Sequence, residues 1–422
     1  MSEETPPVAR MEAAGRNPGN AGETGTPDSA AQHPGYGAMP HEGWACRRIG
    51  EIFEIGSGEA AAYRSNDFSG PVVVYGANGP IGSYDESNFG PGYLIGRVGA
   101  AGFVNRVPVK VWASDNTLTL APVTNKCDPD FAGFLLELID PRSLATKTAQ
   151  PLVTQTGLAN LEAFIPTQIE EQRRIAEILD TLDDAIRKTE QLINKLKQIR
   201  QGLLHDLLTR GIDENGQLRD PIAHPEQFKD SVAGRIPNSW DLGRLDAFVY
   251  IHDRKRIPLK QSDRDNMKGI YPYYGASGII DYISDYIFDG EYILLGEDGE
   301  NVVSWNLPLA FRASGKFWVN NHAHVFEPKD GMDVRYLEEL MEFTDYSRIV
   351  LGSAQPKITQ EGLSRLWFDL PPSEEQSRIA DVLATHTKRV NEERNYLAKL
   401  TKLKKGLMTD LLAGQVRVRI GA

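Results

Sequence analysis

The feature that most constrains this chain is that its sequence is written twice. Trp44 with Arg48-Ile49 recurs as Trp240 with Arg244-Leu245, and Tyr75-Gly76-Ala77 recurs as Tyr274-Gly275-Ala276. Val111-Trp112 matches Phe317-Trp318. Ala149-Gln150-Pro151, Thr154-Gln155 and Gly157-Leu158 match Ala354-Gln355-Pro356, Thr359-Gln360 and Gly362-Leu363. Glu170-Glu171-Gln172 matches Glu374-Glu375-Gln376, and that offset of 204 holds to Leu208 and Leu412. The order is constant and the offset drifts slowly, as it does when a whole folding unit is duplicated and its loops then change length. With 422 residues there is room for two to three domains, each with its own core.

Both copies change texture in the same way. Residues 1–40 are rich in Gly, Pro, Ala and polar side chains without a hydrophobic period, and they read as a disordered tail. Residues 41–166 carry short apolar runs such as Val72-Val73-Val74-Tyr75, broken by Gly, Pro and Asn, the pattern of strands and turns. Over 167–212 the period becomes helical and the punctuation almost vanishes. Residues 213–236, with Asp220-Pro221 and His224-Pro225, read as a linker. Strand-and-turn texture resumes over 237–371, and a second helix is expected over 372–414.

Each helical stretch opens on a capping box, Thr167 before Glu170 and Ser373 before Gln376. Alternate steps of four and three give Ile175, Leu179, Leu182, Ile186, Thr189, Ile193, Leu196, Arg200, Leu203 and Leu207, eight of the ten apolar, which is a coiled-coil seam. The second set is Ile379, Leu383, His386, Val390, Glu393, Leu397, Leu400, Lys404, Leu407 and Leu411, with seven of ten apolar. Both seams are interrupted at the same two places. A helix of about 40 residues is ~60 Å long and needs a partner for its stripe, and the obvious partner is its own repeat. Connectivity makes that pairing antiparallel. Charge agrees, because Glu170–Asp184 is mostly acidic while Arg394–Lys405 has five basic residues and no acid. The expected fold class is α+β: two mixed α/β domains in a duplicated, pseudo-twofold arrangement, separated by a long antiparallel two-helix coiled coil.

Several chemistries are excluded or weak. There is no Asn-Pro-Pro-Tyr or Asp-Pro-Pro-Tyr motif of an adenine methyltransferase, and no GxxxxGK[ST] loop for a nucleotide triphosphate. Gly56-Ser57-Gly58 lacks the third glycine of a dinucleotide fingerprint. Cys46 and Cys127 cannot build a disulfide framework or a four-thiolate zinc site, and a reduced cytoplasmic setting suits them. His322 and His324 share a strand face, yet their repeat equivalents are Asn116 and Leu118 and no third ligand is evident, so no metal is expected. Glu297-Asp298-Gly299-Glu300 stands where the first copy has Arg97-Val98-Gly99, which fits a loop tip with exchanged chemistry better than an acid–base pair. No residue is assigned a catalytic role. No run approaches the ~18 apolar residues of a membrane span.

The 46 Lys and Arg against 58 Asp and Glu give a net charge of −12, which excludes binding nucleic acid by bulk charge alone. Local patches differ. Residues 87–114 contain no acid but include Arg97, Arg106 and Lys110, and the second copy has Arg254-Lys255-Arg256, Lys260, Lys316 and Lys357. Beside them lie turns with Tyr75 and Asn78, and with Tyr274 and Ser277, together with His322. Basic side chains hold phosphates, and Asn, Ser and Arg on loop tips read base edges. Two related but diverged modules suit a two-part asymmetric DNA site, and these residues are the candidate DNA contacts.

Over about residues 44 to 414 the sequence closely resembles the specificity subunit of type I restriction–modification systems. The resemblance rests on Ile165-Pro166…Glu171-Gln172…Ile175-Ala176…Leu179 and its partner Leu370-Pro371…Glu375-Gln376…Ile379-Ala380…Leu383, with the Tyr-Gly-Ala turns and the Gln-Pro…Thr-Gln-Gly-Leu segments. It implies two target recognition domains, each reading half of a split sequence in double-stranded DNA, with the helices as spacer and docking surface. It also implies two modification subunits that methylate adenine, and restriction subunits that translocate and cut DNA. The chain itself would bind no cofactor and be non-catalytic, with S-adenosylmethionine, ATP and magnesium on the partner subunits. The alternatives are a self-contained methyltransferase or nuclease, against which the missing motifs count, and a coiled-coil scaffold, which leaves two diverged modules unexplained.

Overall fold

The structure, a computed structural model, describes residues 42–232, 234–352 and 354–418; the tail expected over 1–40 lies outside the described residues. The chain divides into two compact units, one running to Leu179 and resuming at Gly406, the other Asp180–Lys405. No helix among the described residues is long and apolar enough to cross a membrane. The fold is α+β.

In the first unit, Trp44–Arg48 pairs antiparallel with Glu162–Pro166, so the residues that lead into the long helix return onto the start of the module. A four-stranded sheet follows, in the order Phe53–Ser57, Thr117–Pro122, Gly92–Gly96, Val104–Val107. A second sheet orders Arg64–Ser65, Gly79–Tyr84, Val72–Gly76 and Trp112–Ala113. Helix Pro129–Ile139 starts where the Asp128 carboxylate accepts from the amides of Asp130 and Phe131, with Pro129 at its first position. Its Phe131 and Leu135 join Ile95, Leu118, Ile175, Leu179, Met408 and Leu411 in one core.

The second unit repeats the plan. Asp241–Arg244 pairs with Trp367–Leu370, and Asp333 caps helix Val334–Phe343 through the amides of Arg335 and Tyr336. Here the strands merge into one six-stranded sheet, ordered Val249–Ile251, Ala323–Pro328, Phe288–Gly296, Ala310–Val319, Lys268–Gly275, Gly278–Ile283. The merger has a local cause. Strand Ala310–Val319 is unbroken, whereas its counterpart is split into Val104–Val107 and Trp112–Ala113 around Pro108, which has no amide hydrogen to donate to a ladder.

The segment 213–236, expected as a linker, is instead folded. Asp213 Oδ1 accepts from Asn215 N and Gln217 N, and Phe228–Ser231 pairs with Gly234–Pro237. The capping boxes are also corrected. Thr167 donates its hydroxyl to Gly43 O, and Gln376 turns away from Ser373. For Gln376 the reason lies in the Glu-Gln step, which the first helix shares. Gln172 accepts from Asp128 N at 2.8 Å and donates to Pro166 O, while Gln376 accepts from Asp333 N at 3.0 Å and donates to Pro371 O. Both glutamines are spent on holding a domain helix to a long helix. The preceding glutamates are buried on arginines, Glu171 on Arg417 and Glu375 on Arg219.

The long helices run Ile169–Thr209 and Ser373–Leu412. None of the twenty seam positions is exposed: Ile175, Leu179, Ile193, Leu196, Ile379, Leu383, Val390 and Leu400 are buried, and Leu182, Ile186, Leu203, Leu397 and Leu407 are half-buried. Within the second unit, Arg200 Nε donates to Thr387 Oγ1 at 2.8 Å and Lys404 Nζ meets Asp183 at 2.8 Å. These two contacts are images of each other under the 204-residue repeat. They fix the antiparallel sense and explain two of the polar interruptions. A third, Thr189, is buried with its hydroxyl on Ala185 O.

Candidate nucleic-acid interface

In each module four segments converge on one end of the central strand. A side chain at Gly96 would put its Cβ 2.8 Å from Ala77 O, and one at Gly296 would put it 2.7 Å from Ala276 O, so each Tyr-Gly-Ala turn lies directly on the strand end and requires glycine there. The next residue is fixed identically in both. Arg97 N donates to Asn116 O and Glu297 N to His322 O; Val153 N donates to Arg97 O and Ile358 N to Glu297 O. The bridges Val98–Leu152 and Asp298–Lys357 complete the match. The Gln-Pro segment is anchored by Thr154 and Thr359, whose hydroxyls accept from Gly157 N and Gly362 N at 3.0 Å.

On this common scaffold the chemistry differs. In the first module Arg97 and Asn78 are exposed, and among the described residues no ion pair or side-chain hydrogen bond is found for Arg97. The same place in the second module holds Glu297, 7% exposed, which binds Arg256 and Lys357. Burial alone would raise the Glu297 carboxyl, but the hydrogen bonds from Lys357 and Arg256 outweigh it and hold it below the usual carboxylate range. His322 lies on Asp298 at 2.9 Å with its ring half in solvent. His324 is buried, with Nδ1 on Asp253 at 2.6 Å and Nε2 on Ile358 O at 3.1 Å. Its two ring nitrogens thus bridge the Asp253 turn and the Ile358 backbone, and the ring pins the Lys357 segment to the sheet.

The two histidines therefore point into different surroundings. Among the described residues no three His, Cys, Asp or Glu side chains are placed to hold a metal ion. Arg254, Lys255, Lys260 and Ser277 are exposed. Arg254 and Lys255 belong to the turn Asp253–Lys255, whose Asp253 holds His324.

Other candidates are not brought to this end. Arg106 pairs with Tyr93 in the ladder and turns to Asp130, while Lys110 lies beside Gly90, at the far end of the central strand. Its repeat equivalent Lys316 sits at the same far end, opposite Asp289, with Nζ 4.5 Å from the Tyr286 ring centre. Tyr274 is withdrawn into the core, because its ring packs on Phe311 and edge-on against Phe317, and Tyr75 is half-buried for the corresponding reason. Sequence reasoning missed Phe103, 42% exposed in the loop that closes on Gly96. A single aromatic in a Gly-rich loop was its signal. Arg97, Asn78 and Phe103 form a surface that can hydrogen-bond base edges and stack on them.

Residues 41–198 and 237–402 match the family described as type I restriction modification DNA specificity domain. A Haemophilus influenzae relative, S.HindORF215P, is 33% identical over 148 residues, 35% of this chain and only 37% of its own length. The type I restriction enzyme MjaVIII specificity subunit of Methanocaldococcus jannaschii is 24% identical over 301 residues, 66% of this chain and 67% of its own. The crystal structure of a type I restriction–modification S subunit from M. genitalium superposes with a TM-score of 0.60 at 17% identity, covering 87% of this chain and 96% of that one. That likeness bears on the fold.

Proposed function

The chain belongs to the type I restriction modification DNA specificity family, and from that premise we propose that its two modules each read one half of a bipartite, asymmetric DNA target. One observation carries the reading. The same four-segment face is built twice, with a free arginine and asparagine on one copy and a Glu-His-Lys-Arg network on the other. Identical scaffolding with different chemistry is what reading two different half-sites requires. The chain is the DNA sequence-specificity subunit of its system and is non-catalytic by itself.

The finer assignments follow from that role. Two modification subunits that methylate adenine dock on the chain, and restriction subunits join them. S-adenosylmethionine, ATP and magnesium sit on those partners, in the cytoplasm. The long helices set the gap between half-sites. Arg97, Asn78, Ser277, His322, Arg254, Lys255 and Lys260 face DNA, while Arg256 and Lys357 position Glu297. Arg106, which turns to Asp130, and Lys110 and Lys316, at the far end of the central strand, take no part in that face.

The test uses this chain with its modification subunit, S-adenosylmethionine and duplexes in which each base of the target is varied. Arg97→Ala should relax discrimination at one position of one half-site by about 1–3 kcal/mol and leave the other half unchanged. Equal weakening at every position of both halves would contradict the assignment.

A further inference from the structure

The loop that closes on the end of the central strand is twice as long in the second module as in the first. Gly96 N donates to Phe103 O and encloses residues 97–102, whereas Gly296 N donates to Leu309 O and encloses 297–308. The ladders agree, since Ile95 pairs with Val104 and Leu295 with Ala310. The aromatic side chain moves with the insertion. Exposed Phe103 has buried Leu309 as its equivalent, and the second module instead presents Trp305, 41% exposed, with Val303 and Leu307 exposed beside it. Residues 301–311 carry no charge, although Glu297–Glu300 just before them holds three acids.

The insertion is tied to itself. One helical turn, Asn301–Ser304, ends where Trp305 N donates to Asn301 O at 3.0 Å. The Asn301 side chain then takes both backbone groups of Leu307, accepting from its N at 2.9 Å and donating to its O at 3.1 Å. Ser304 Oγ donates to Glu300 Oε2 at 2.8 Å. A loop held in this way costs little further ordering when it meets a ligand.

Two further observations bear on what the loop meets. Trp305 has φ +50°, in the left-handed region where glycine or asparagine is the ordinary choice and a bulky side chain is strained. Core packing does not account for it: the indole lies outside the cluster, its ring centre 6.5 Å from that of buried Tyr346, whose hydroxyl is already spent on Met341 O. The base of the loop, moreover, is part of the candidate DNA face. Asp298 bridges to Lys357 and holds His322, and Gly299 N donates to Pro356 O. The strained indole therefore stands at the same end of the module as the polar groups of that face.

Resting on the reading of the second module as one that binds half of a DNA target, we propose that Trp305 enters the duplex as an apolar wedge between two base pairs of that half-site, at a pyrimidine–purine step. In a closed duplex the neighbours cover both faces of every base, so an indole reaches a base face only by parting a step. TA and CA/TG steps part most easily. Val303 and Leu307 carry no charge, so they approach the parted step without burying an unpaired ion. The wedge selects by the deformability of the step, which the hydrogen-bonding groups beside it do not sense.

The experiment uses the full chain with its modification subunit and a duplex bearing the split target, and reads unstacked thymines by permanganate oxidation. Every TA or CA/TG step holds a thymine, so one thymine of one half-site should become reactive on binding. Trp305→Gly removes the indole and suits the left-handed turn, so the variant should melt close to the wild type. It should return that thymine to the reactivity of free duplex and bind about tenfold or more weakly. Trp305→Phe should keep both the reactivity and the affinity. Changing the step to a stiff AA/TT step should weaken the wild type and leave the glycine variant nearly unchanged. Native reactivity and affinity in Trp305→Gly would overturn the inference and leave the functional reading intact. So would loss of the modification subunit in place of duplex affinity, which would make the loop a protein contact. If the wild-type complex selects no split target, the functional reading itself fails, and this inference with it.

Discussion

Removing Arg219 should unseat the second module from its long helix, and the cost follows from what Glu375 would lose. The Glu375 side chain is 3% exposed. It accepts from Arg219 Nη1 at 2.6 Å and Nη2 at 3.0 Å, from Ile212 N at 3.1 Å and from Trp240 Nε1 at 3.1 Å. Arg219→Ala deletes the only positive charge in that set and leaves a buried carboxylate on two neutral donors. Breaking a buried ion pair from one side costs about 3–5 kcal/mol. The related pair in the first unit is the internal control. Glu171 is as buried, but Arg417 is 46% exposed and its bonds are longer, 3.2 and 3.5 Å. Water can replace that guanidinium, so Arg417→Ala should cost about 1 kcal/mol. The assay is amide hydrogen exchange at Ile212, whose N–H ends on Glu375. Arg219→Ala should lower its protection by roughly two to four orders of magnitude. Adding Glu375→Gln should recover more than half of the loss, since a neutral amide leaves no buried charge. A change below about tenfold, or one no larger than that from Arg417→Ala, would refute the reasoning.

Acid should weaken the second unit before the first. Asp253 and Glu297 are held below the usual carboxylate range despite burial, by His324 and by Lys357 and Arg256, whereas the first unit has Leu118 and Arg97 at the places of His324 and Glu297. Their stabilisation is complete above the ordinary carboxylate pKa of about 4 and is lost as pH falls through the lower folded values, so calorimetry between roughly pH 5 and 3 should show the second transition falling faster, and Glu297→Gln should shrink the difference. Inserting one heptad near Lys195 and one near Lys399 keeps the seam and lengthens the pair by ~10 Å, an upper bound of about three base pairs of gap. Methylation of targets with widened gaps reads this out, and an active variant that still needs the native gap would show that the helices are not the ruler. The purified chain with DNA, S-adenosylmethionine, magnesium and ATP should neither methylate nor cut; either activity without added subunits would contradict its non-catalytic role.

The duplication and the seam were legible because they are periodic. Heptads and repeat offsets need no knowledge of what lies across the fold, and even the interruptions at Arg200 and Lys404 proved to be one contact written twice. The Glu-Gln step was visible as a repeated motif, but in the second helix its Gln376 was misassigned to local capping. Its glutamine side chains reach Asp128 and Asp333, 44 and 43 residues earlier, which no local rule anticipates. The proposed DNA face was half legible. Arg97 and Asn78 stand out in a Gly-rich, acid-free segment. Arg256 and Lys357 look equally basic in sequence, yet they are spent on Glu297, a neutralisation across 41 and 60 residues. Tyr274 shows the same limit: a residue in a turn motif reads as exposed until the strand alternation that buries it is known.

The most direct test maps methylated adenines by single-molecule sequencing in a host that carries this chain with its modification subunit. The account predicts one bipartite, asymmetric motif with a fixed gap. It further predicts that replacing the face of the second module (the 297–300 loop with Lys357) changes one half of the motif and leaves the other intact. Methylation at an unsplit site, or a replacement that alters both halves together, would contradict two independent reading modules on one chain.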